Sequence, residues 1–337
     1  MNQQFIVSVC IPAYNRPDEL KRLLESIDAD KEHIEIVVCE DKSPKRDEII
    51  AAVESFAKGS EYDVKLFLNE TNFGYDKNIR ELVKCATGGF IIYMGDDDVF
   101  VPHALDKLIG FLSTHRQLGY VLKSHYFYHE DGKIEPFKYY SSTTMFDAGF
   151  NTYIELFRKS VFISGFTINR EFASKHLVNE FDGTLLMQLY LLAEVVLQHP
   201  AAYFDEPLTQ AYEGGTPFFG NSDSEKGFYT PGTITIENSL NFLKGFFKIT
   251  QALDDKYQFN STELVKNDMS KYFYPSLAIQ KNGGLKRFFG YVKKLKEIGF
   301  GGFYFNVYAI ALTVLGKTSC DSVIVFLKKT LGKTPKL

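Results

Sequence analysis

The chain has 337 residues, a hydrophobic fraction of 45% and a formal net charge of −4. These values allow one large globular domain or two of ordinary size, and they exclude an intrinsically disordered chain. The cysteines are widely spaced and form no metal-binding C-x-x-C pair, so reduced thiols are expected. The N-terminal residues show no signal-peptide pattern and no apolar run is long enough to span a membrane, which together predict a cytoplasmic location.

Short apolar runs alternate with helical patterns through the first third of the chain. The runs predict buried strands at 5–11, 34–39, 64–68 and 90–94. This alternation predicts right-handed βαβ units, and therefore an α/β fold around a mostly parallel central sheet with helices on both faces. The carboxyl ends of parallel strands meet at one edge of such a sheet, where ligands bind.

The strand at 90–94 is followed by Gly95 and then by three consecutive carboxylates, Asp96, Asp97 and Asp98. Adjacent like charges repel one another unless a cation binds there, and clusters of carboxylate oxygens suit Mg²⁺ or Mn²⁺. The alternative is a solvated acidic turn that caps a helix starting near Pro102. The composition of these residues alone does not choose between the two.

Helices and strands mix in the middle of the chain, and the last part is helical. The patterns predict helices after Pro102 and at 150–158 and 184–197, strands at 120–128, 161–169 and 201–204, and a hairpin at Asp131-Gly132. The segment 214–231 is rich in Gly, Pro and Ser, which favours a lid or an acceptor-binding loop. Two domains are therefore predicted: a catalytic domain at 1–230 and a helical, basic region at 231–337.

Four segments, in this order, resemble those of the inverting glycosyltransferases of family 2, which have the GT-A fold: Ser8–Arg16, Ile36–Ser43, Asn72–Gly74 and Tyr93–Asp98. Within the family the chain resembles the abequosyltransferase-type enzymes that build bacterial surface polysaccharides. The resemblance implies transfer of a sugar from a nucleoside diphosphate donor to a glycan or lipid-linked acceptor. UDP is the commonest donor nucleotide in that family, and the abequosyltransferase-like features admit CDP or dTDP.

The resemblance implies a nucleotide-sugar pocket at the first two strand ends. Pro12, Tyr14 and Arg16 lie where the first loop of family members borders the nucleotide, with a ring for the base and a cation near the diphosphate. Asp41 lies where family members accept a hydrogen bond from the N3–H of the base, for which a carboxylate is suited as a pure acceptor. Asp41 could equally be a turn or N-cap residue.

Gly74 belongs to a segment that matches the Asn-x-Gly of the family, but the Ala-Arg-Asn that usually follows is missing. Lys77, Asn78 and Arg80 occupy that region instead. The resemblance therefore places all three near the nucleotide sugar and leaves open which cation faces the phosphates. Either cation could instead lie on the helix surface.

Family members commonly show Asp-x-Asp-Asp at the end of the fourth strand, and here Gly95 replaces the first carboxylate. The resemblance implies that Asp96 contacts the ribose and that Asp97 or Asp98 binds Mn²⁺ or Mg²⁺. Such an ion would neutralise the leaving nucleoside diphosphate and so assist its departure as a Lewis acid.

An inverting transfer also needs a general base that deprotonates the acceptor hydroxyl. The segment Phe181-Asp182-Gly183 resembles the approach to the family's base motif, but Gln188-Leu189-Tyr190 replaces the expected Glu-Asp pair. Asp182 is the hypothesis for the base and Glu194 the reserve. Asp182 could instead be the N-cap of the helix after Gly183, and Glu194 a solvent-facing residue of that helix.

From Lys281 onward the chain carries eleven Lys or Arg residues against Glu297 and Asp321, a net charge of +9. Basic residues interleaved with aromatic ones suit an interfacial helix on anionic lipid, so peripheral association with the inner face of the cytoplasmic membrane is expected. The alternative is that these helices pack on the catalytic domain with their lysines solvated. No nucleic-acid-binding motif accompanies the charge, so nucleic acid is not an expected partner.

Two other functions are possible for a chain with a parallel sheet and clustered carboxylates. A nucleotidyltransferase normally has a Gly-rich basic loop after its first strand, and residues 12–17 contain no Gly. A catalytically inactive GT-A relative, serving as a sugar-nucleotide-binding or membrane scaffold module, stays open because the Glu-Asp pair is missing. Donor hydrolysis or transfer would separate this module from an enzyme.

Overall fold

Residues 5–212, 214–215, 217–233 and 235–331 are described by a computed structural model, without the side chains of residues 325 and 327–331. The chain divides into two units, Met1–Thr233 and Ile234–Leu337. The side chains of Lys328 and Lys329, which belong to the basic tail noted above, lie outside the described set.

The first unit contains a mixed sheet whose strands are β1 (Val7–Ala13), β2 (Ile34–Glu40), β3 (Asp63–Leu68), β4 (Phe90–Tyr93), β5 (Val99–Phe100), β6 (Tyr120–Tyr128), β7 (Ile134–Phe137), β8 (Thr144–Phe146), β9 (Phe166–Asn169) and β10 (Ala201–Tyr212). Their order is β3-β2-β1-β4-β9-β6-β10-β5, with β7 paired to β6 and β8 to β10. Its helices are α1 (Pro17–Glu25), α2 (Arg46–Gly59), α3 (Tyr75–Cys85), α4 (Ala104–Thr114), α5 (Phe150–Phe157), α6 (Arg170–Ser174) and α7 (Met187–Gln198).

The parallel half of the sheet confirms the prediction from the apolar runs. Strands β1, β2, β3 and β4 pair in parallel through β1–β2, β2–β3 and β1–β4. Helix α1 begins with Pro17 at its first turn and buries Leu20, Leu23 and Leu24 against this sheet, because those three side chains share one helical face. The carboxyl ends of β1, β2 and β4 therefore lie together at one edge.

The other half of the sheet differs from the prediction in two places. Strand β9 starts at Phe166 rather than at Val161, and it runs antiparallel to both β4 and β6. Strand β10 does not stop at Phe204 but continues to Tyr212, with register shifts on both sides of Pro207. Proline cannot donate a ladder hydrogen bond, so the strand crosses it through a bulge that the sequence pattern reads as an end.

The second unit is helical throughout its described part, as predicted. It consists of α8 (Ile236–Tyr257), α9 (Ser261–Lys271), α10 (Tyr274–Asn282), α11 (Leu285–Glu297), α12 (Phe303–Val314) and α13 (Gly316–Leu331). Phe288, Phe300 and Phe305 are buried in its core, so these aromatic residues of the tail are not surface residues. No helix in the described ranges is long and apolar enough to cross a membrane.

Candidate functional site

The carboxyl ends of β1, β2 and β4 and the start of α3 border a cavity of about 330 Å³. The predicted site residues that line it are Pro12, Tyr14, Arg16, Asp41, Gly74, Asn78, Asp96 and Asp97. The predicted residues that do not line it are Lys77, Arg80, Asp98, Asp182 and Glu194. Side chains from three strand ends thus share one cavity, as the position at the edge of the sheet predicts.

Asp96 joins the first loop to the acidic motif. Its carboxylate accepts hydrogen bonds from the backbone N–H of Tyr14 at 3.0 Å and from Arg16 Nη1 at 2.8 Å. Asn15, between those two residues, has the left-handed φ of 63°, which lets the loop turn both donors toward the carboxylate. Burial raises the pKa of Asp96 to about 6, although the charge of Arg16 opposes the shift. Asp96 is therefore held by the loop that follows β1.

Asp97 and Asp98 have different surroundings. Asp97 lines the cavity, and one of its carboxylate oxygens lies 3.1 Å from Arg16 Nη1. Asp98 is buried, where it accepts hydrogen bonds from Ser164 Oγ and, at 3.3 Å, from the backbone N–H of Tyr212. Burial raises the pKa of Asp98 to about 7. Of the two predicted metal ligands, Asp97 is thus the one on the cavity side.

The alternative of an acidic cap for the next helix is wrong, because the N-cap residue of α4 is His103 and its backbone N–H donates to Asp28 at 2.7 Å rather than to the acidic motif. The glycine at position 95 has a packing reason. A Cβ at Gly95 would lie 3.0 Å from Asp97 Oδ1 and 3.0 Å from Ser164 Oγ, which is tighter than ordinary contact. The departure from the Asp-x-Asp-Asp pattern therefore makes room for the serine that holds Asp98.

No group of three or more His, Cys, Asp or Glu within the described residues could hold a metal ion. Mg²⁺ sites of nucleotide enzymes usually need only one or two carboxylates, because substrate phosphates and water supply the other oxygens. Asp97, with 34% of its side chain exposed beside the buried Asp96, fits that kind of site. The residues present therefore suit a cation bound jointly with a substrate, rather than one enclosed by protein.

Asp41 shapes the other end of the cavity. It is buried and accepts hydrogen bonds from Asn69 Nδ2 at 2.8 Å and from the backbone N–H groups of Phe73 at 2.7 Å and Gly74 at 2.9 Å. Burial raises its pKa to about 6 against these donors. Lys45, not Asp41, is the N-cap residue of α2. Asp41 thus fixes the loop before α3 while its carboxylate borders the cavity.

The residues predicted along α3 separate from one another. Asn78 is buried, lines the cavity and donates to the backbone oxygen of Cys39 at 3.2 Å. Lys77 Nζ lies 3.2 Å from the centre of the Phe73 ring. Arg80 is buried rather than on the helix surface. Neither of these two cations is among the residues that line the cavity, whereas Arg16 is.

The two hypotheses for the general base lie away from the cavity. Arg80 donates to both carboxylate oxygens of Asp182, with 2.9 Å between Nη2 and Oδ2. Glu194 is fully buried in α7, where one carboxylate oxygen lies 3.5 Å from His176 Nδ1. The alternative of a solvent-facing Glu194 is therefore wrong. Gln188 is also buried, and its Oε1 has no hydrogen-bond partner among the described residues.

A carboxylate that the sequence reasoning missed fixes the start of α7. Asp76 accepts hydrogen bonds from the backbone N–H groups of Leu185 at 2.9 Å and Met187 at 2.8 Å. This helix consequently begins at Met187, and its N-cap residue is Leu186 rather than Asp182. Burial raises the pKa of Asp76 to about 7. No local signal marks Asp76, because its partners lie more than a hundred residues further along the chain.

The loop predicted as a lid contributes two residues that sequence reasoning did not single out. The Phe218 ring lies 5.0 Å from Arg16 Cζ and 6.2 Å from the Tyr14 ring. Glu225 is buried and accepts hydrogen bonds from the backbone N–H groups of Tyr75 at 2.8 Å and Gly220 at 2.7 Å. Glu225 thereby ties the loop to the start of α3, with Phe218 above the first loop.

The opposite side of the acidic motif carries an aromatic pair and a cation. Arg22 Nη2 donates to the backbone oxygen of Asp97 at 2.6 Å, and Arg22 Cζ lies 4.5 Å from the centre of the Tyr212 ring. Tyr128 and Tyr212, at the ends of β6 and β10, have ring centres 5.2 Å apart. Both Arg22 and Tyr212 are exposed. This surface lies next to Asp97; its two tyrosines come from the other half of the sheet, and Arg22 extends from α1.

Comparisons with known proteins show which family the chain resembles. The model of the family described as glycosyl transferase family 2 matches residues 8–177. An abequosyltransferase of Salmonella typhimurium is 27% identical over 110 residues, which are 32% of this chain and 33% of that protein. The chain spans between 31% and 37% of the length of three curated relatives that it matches.

Two solved structures are similar in fold. S. aureus TarS 1-349, in complex with UDP-GlcNAc, has a TM-score of 0.52 at 16% identity, and the match covers 91% of each chain. GalNAc-T7 with UDP, GalNAc and Mn²⁺ has a TM-score of 0.51 at 14% identity, covering 93% of this chain and 59% of that one. Identities this low show only that the fold is shared. The ligands in those two structures are properties of those proteins.

Proposed function

The chain belongs to glycosyl transferase family 2, whose model matches residues 8–177, and from this premise we propose that it transfers a sugar from a nucleoside diphosphate donor to a glycan or lipid-linked acceptor. The predicted GT-A architecture with a helical C-terminal region is confirmed. The observation that carries the proposal is the convergence of Arg16, Asp41 and Asp97 on one cavity from three strand ends. These residues supply a cation, a hydrogen-bond acceptor and a carboxylate for a bound metal.

Asp41 is assigned to the base of the donor. An ionised carboxylate only accepts hydrogen bonds, so it pairs with the N3–H of uracil or thymine but not with cytosine, whose N3 carries no proton. This chemistry favours UDP or dTDP over CDP whenever Asp41 is ionised. UDP is the first choice, because it is the commonest donor nucleotide in the family.

Arg16 is assigned to the diphosphate, because it is a guanidinium on the cavity wall and Asp96 holds it in place at 2.8 Å. Asp97, with Asp96 beside it, would hold Mn²⁺ or Mg²⁺ together with the phosphates. When bound, that ion would neutralise charge on the leaving nucleoside diphosphate. Phe218, over Arg16 and Tyr14, would exclude water from this end of the cavity.

The acceptor is assigned to the surface formed by Arg22, Tyr128 and Tyr212. It adjoins Asp97 on the side away from Asp41, so an acceptor there would approach the sugar opposite the leaving group, as inversion in a single displacement requires. The exposed Tyr212 ring, with the half-buried Tyr128 beside it, suits the apolar face of a sugar ring, and the guanidinium suits a phosphate or carboxylate on the acceptor. The likeness to an abequosyltransferase supports a role in bacterial surface polysaccharide synthesis.

The two hypotheses for the general base, Asp182 first and Glu194 second, are carboxylates held by Arg80 and His176, so neither is assigned as the base. Asp182 would have to give up its bidentate pair with Arg80 before it could take a proton. One observation favours the second candidate function, a catalytically inactive sugar-nucleotide-binding or scaffold module: Gln188 stands where the family's acidic pair is expected, and an amide cannot accept that proton.

We also propose that the chain acts in the cytoplasm at the inner surface of the membrane, on the basis of its basic C-terminal region.

The test is calorimetric titration of UDP, CDP, dTDP and GDP, each with Mn²⁺, Mg²⁺ or EDTA. Wild type is compared with Asp97→Asn and with the control Asp223→Asn, whose carboxylate is 99% exposed. Metal-dependent tightening of UDP binding that Asp97→Asn abolishes and Asp223→Asn keeps is the expected result. Failure of every nucleotide to bind would refute the donor site. Binding without donor hydrolysis or transfer would favour the inactive module.

A further inference from the structure

The outward face of α12 is apolar. Phe303, Ile310 and Val314 are 75%, 64% and 74% exposed, and Tyr304 and Val307 are 43% exposed each. Positions 303, 307, 310 and 314 recur at helical spacing, so they form one stripe along the helix. Phe305 and Leu312 of the same helix are fully buried in the core of the second unit. One apolar face of the helix is therefore packed in the core of the second unit, and a second apolar face is exposed.

Lysines bracket this helix at both ends. The sequence contains no charged residue between Glu297 and Lys317. Lys293, Lys294 and Lys296 come just before this uncharged stretch, and Lys293 and Lys296 are exposed. An apolar surface with flanking cations is the pattern of a helix that lies in the interface of an anionic bilayer.

The length of α12 decides between lying on a membrane and crossing it. Its 12 residues measure about 18 Å at 1.5 Å per residue, whereas the hydrocarbon core of a bilayer is about 30 Å thick. The helix is thus too short to span but long enough to bury its stripe beneath the headgroups. Val323 and Phe326 of α13 are also exposed apolar residues of the second unit.

We propose that α12 inserts the stripe formed by Phe303, Val307, Ile310 and Val314 into an anionic lipid surface, with the preceding lysines on the headgroups. Charge favours lipid over a second copy of the chain, since two such faces would bring their lysines together and repel. The inference rests on the membrane association in the proposed function and is independent of the donor cavity. Nucleotide binding and lipid binding can therefore fail separately.

Flotation of the full chain with vesicles tests the apolar stripe. Wild type is expected to float with phosphatidylcholine–phosphatidylglycerol vesicles and much less with phosphatidylcholine alone. The variant Phe303→Ser, Ile310→Ser, Val314→Ser is expected to bind at least about tenfold more weakly, because the buried apolar area is lost. The control Ile134→Ser, Met145→Ser, Phe228→Ser alters side chains of the first unit that are 49%, 50% and 56% exposed, and it should bind like wild type.

A second pair of variants tests the charge. Lys293 and Lys58 are matched: each has an 80% exposed side chain and lies 3.8 or 3.9 Å from a glutamate one helical turn away. Lys293→Glu is expected to weaken binding to anionic vesicles by about fivefold or more, since a lysine at such a surface contributes about 1 kcal/mol. Lys58→Glu should change it little.

A single-tryptophan reporter tests insertion directly, because the chain contains no Trp. The emission of Tyr304→Trp should shift to the blue and be quenched by brominated lipid when anionic vesicles are added, and that of Phe228→Trp should not. An unshifted Tyr304→Trp, or equal binding by the two serine variants, would overturn the proposal. So would a lipid-free dimer that only the α12 variant dissociates. UDP binding measured on the same variants should stay at the wild-type value throughout.

Discussion

The substitution Asp182→Asn tests whether the role of the Asp182 carboxylate is catalytic or structural. Both of its oxygens accept hydrogen bonds from Arg80, and the Arg80 side chain is only 8% exposed. Arg80 extends from α3, while Asp182 lies in the segment that leads to α7. The pair therefore ties two separate parts of the first unit together. We expect Asp182→Asn to act on stability first.

The size of the effect follows from burial. Removing one partner of a buried pair leaves an uncompensated charge and costs about 3–5 kcal/mol. The Asp182 side chain is 26% exposed, so water can reach part of the site, and a loss of about 2–3 kcal/mol is the expected value. For a domain of this size that corresponds to a fall in Tm of about 4–12 °C.

The matched control is Glu81→Gln. Glu81 belongs to the same helix as Arg80, its side chain is 25% exposed, and it lies 2.7 Å from a Lys84 that is 54% exposed. A solvated pair of this kind is worth about 1 kcal/mol or less, so its Tm should change little. Thermal unfolding and donor turnover are measured together on both variants. Turnover per folded molecule should survive in Asp182→Asn. An unchanged Tm with turnover reduced by about a thousandfold would refute the structural role and establish Asp182 as the base.

Two further predictions concern the cavity walls. Burial raises the pKa values of Asp41 and Asp96 from the ordinary 3.8 to about 6. The folded chain therefore binds these protons more tightly than the unfolded chain does, which stabilises the fold below about pH 4. This stabilisation should be lost as the pH rises through about 6. UDP affinity should move the opposite way, rising through about pH 6 in calorimetric titrations as Asp41 ionises, and a pH-independent affinity would contradict its role. Gly74→Ala should destabilise the chain and abolish UDP binding, because φ is +77° and the new Cβ would lie 2.7 Å from Glu225 Oε1. Gly284→Ala, at φ +93° with open space, should cost about 1–3 kcal/mol of backbone strain and leave UDP binding intact; equal UDP affinity in the two variants would refute the packing argument.

The parallel half of the fold was predictable because its signals are local. Each of the first four strands is an apolar run followed by turn residues, and the helix after Pro17 shows its buried face through Leu20, Leu23 and Leu24. The βαβ rule then places the strand ends together without further information. The other half, in which β10 pairs in parallel with β6 and antiparallel with β5 and β8, was harder to predict. Strand β10 passes through Asp205, Glu206 and Pro207, and these residues indicate a strand end.

The cavity was predictable to the same extent. Tyr14, Arg16, Asp41 and Asp97 follow strand ends, so the topology alone brings them to one edge. Residues held by distant partners had no such signal. Glu225 meets the N–H of Tyr75 across 150 residues of sequence, and only the composition of its loop hinted at a lid. The resemblance also implied a general base from a Glu-Asp pair, but this chain has Gln188-Leu189-Tyr190 at that position.

The acidic motif, in which Gly95 replaces the first carboxylate, agrees with the packing of the residues around it. Gly95 removes one carboxylate and leaves space in which Ser164 Oγ connects the turn to the motif: it accepts from the N–H of Gly95 at 3.0 Å and donates to Asp98. Asp98 in turn accepts from the N–H of Tyr212, the ring that neighbours Arg22. Asp98, which does not line the cavity, thus connects the turn at Gly95 to the end of β10. Asp98→Asn should consequently weaken acceptor binding more than UDP binding, because its hydrogen bonds position Tyr212 while Asp97 remains in the cavity.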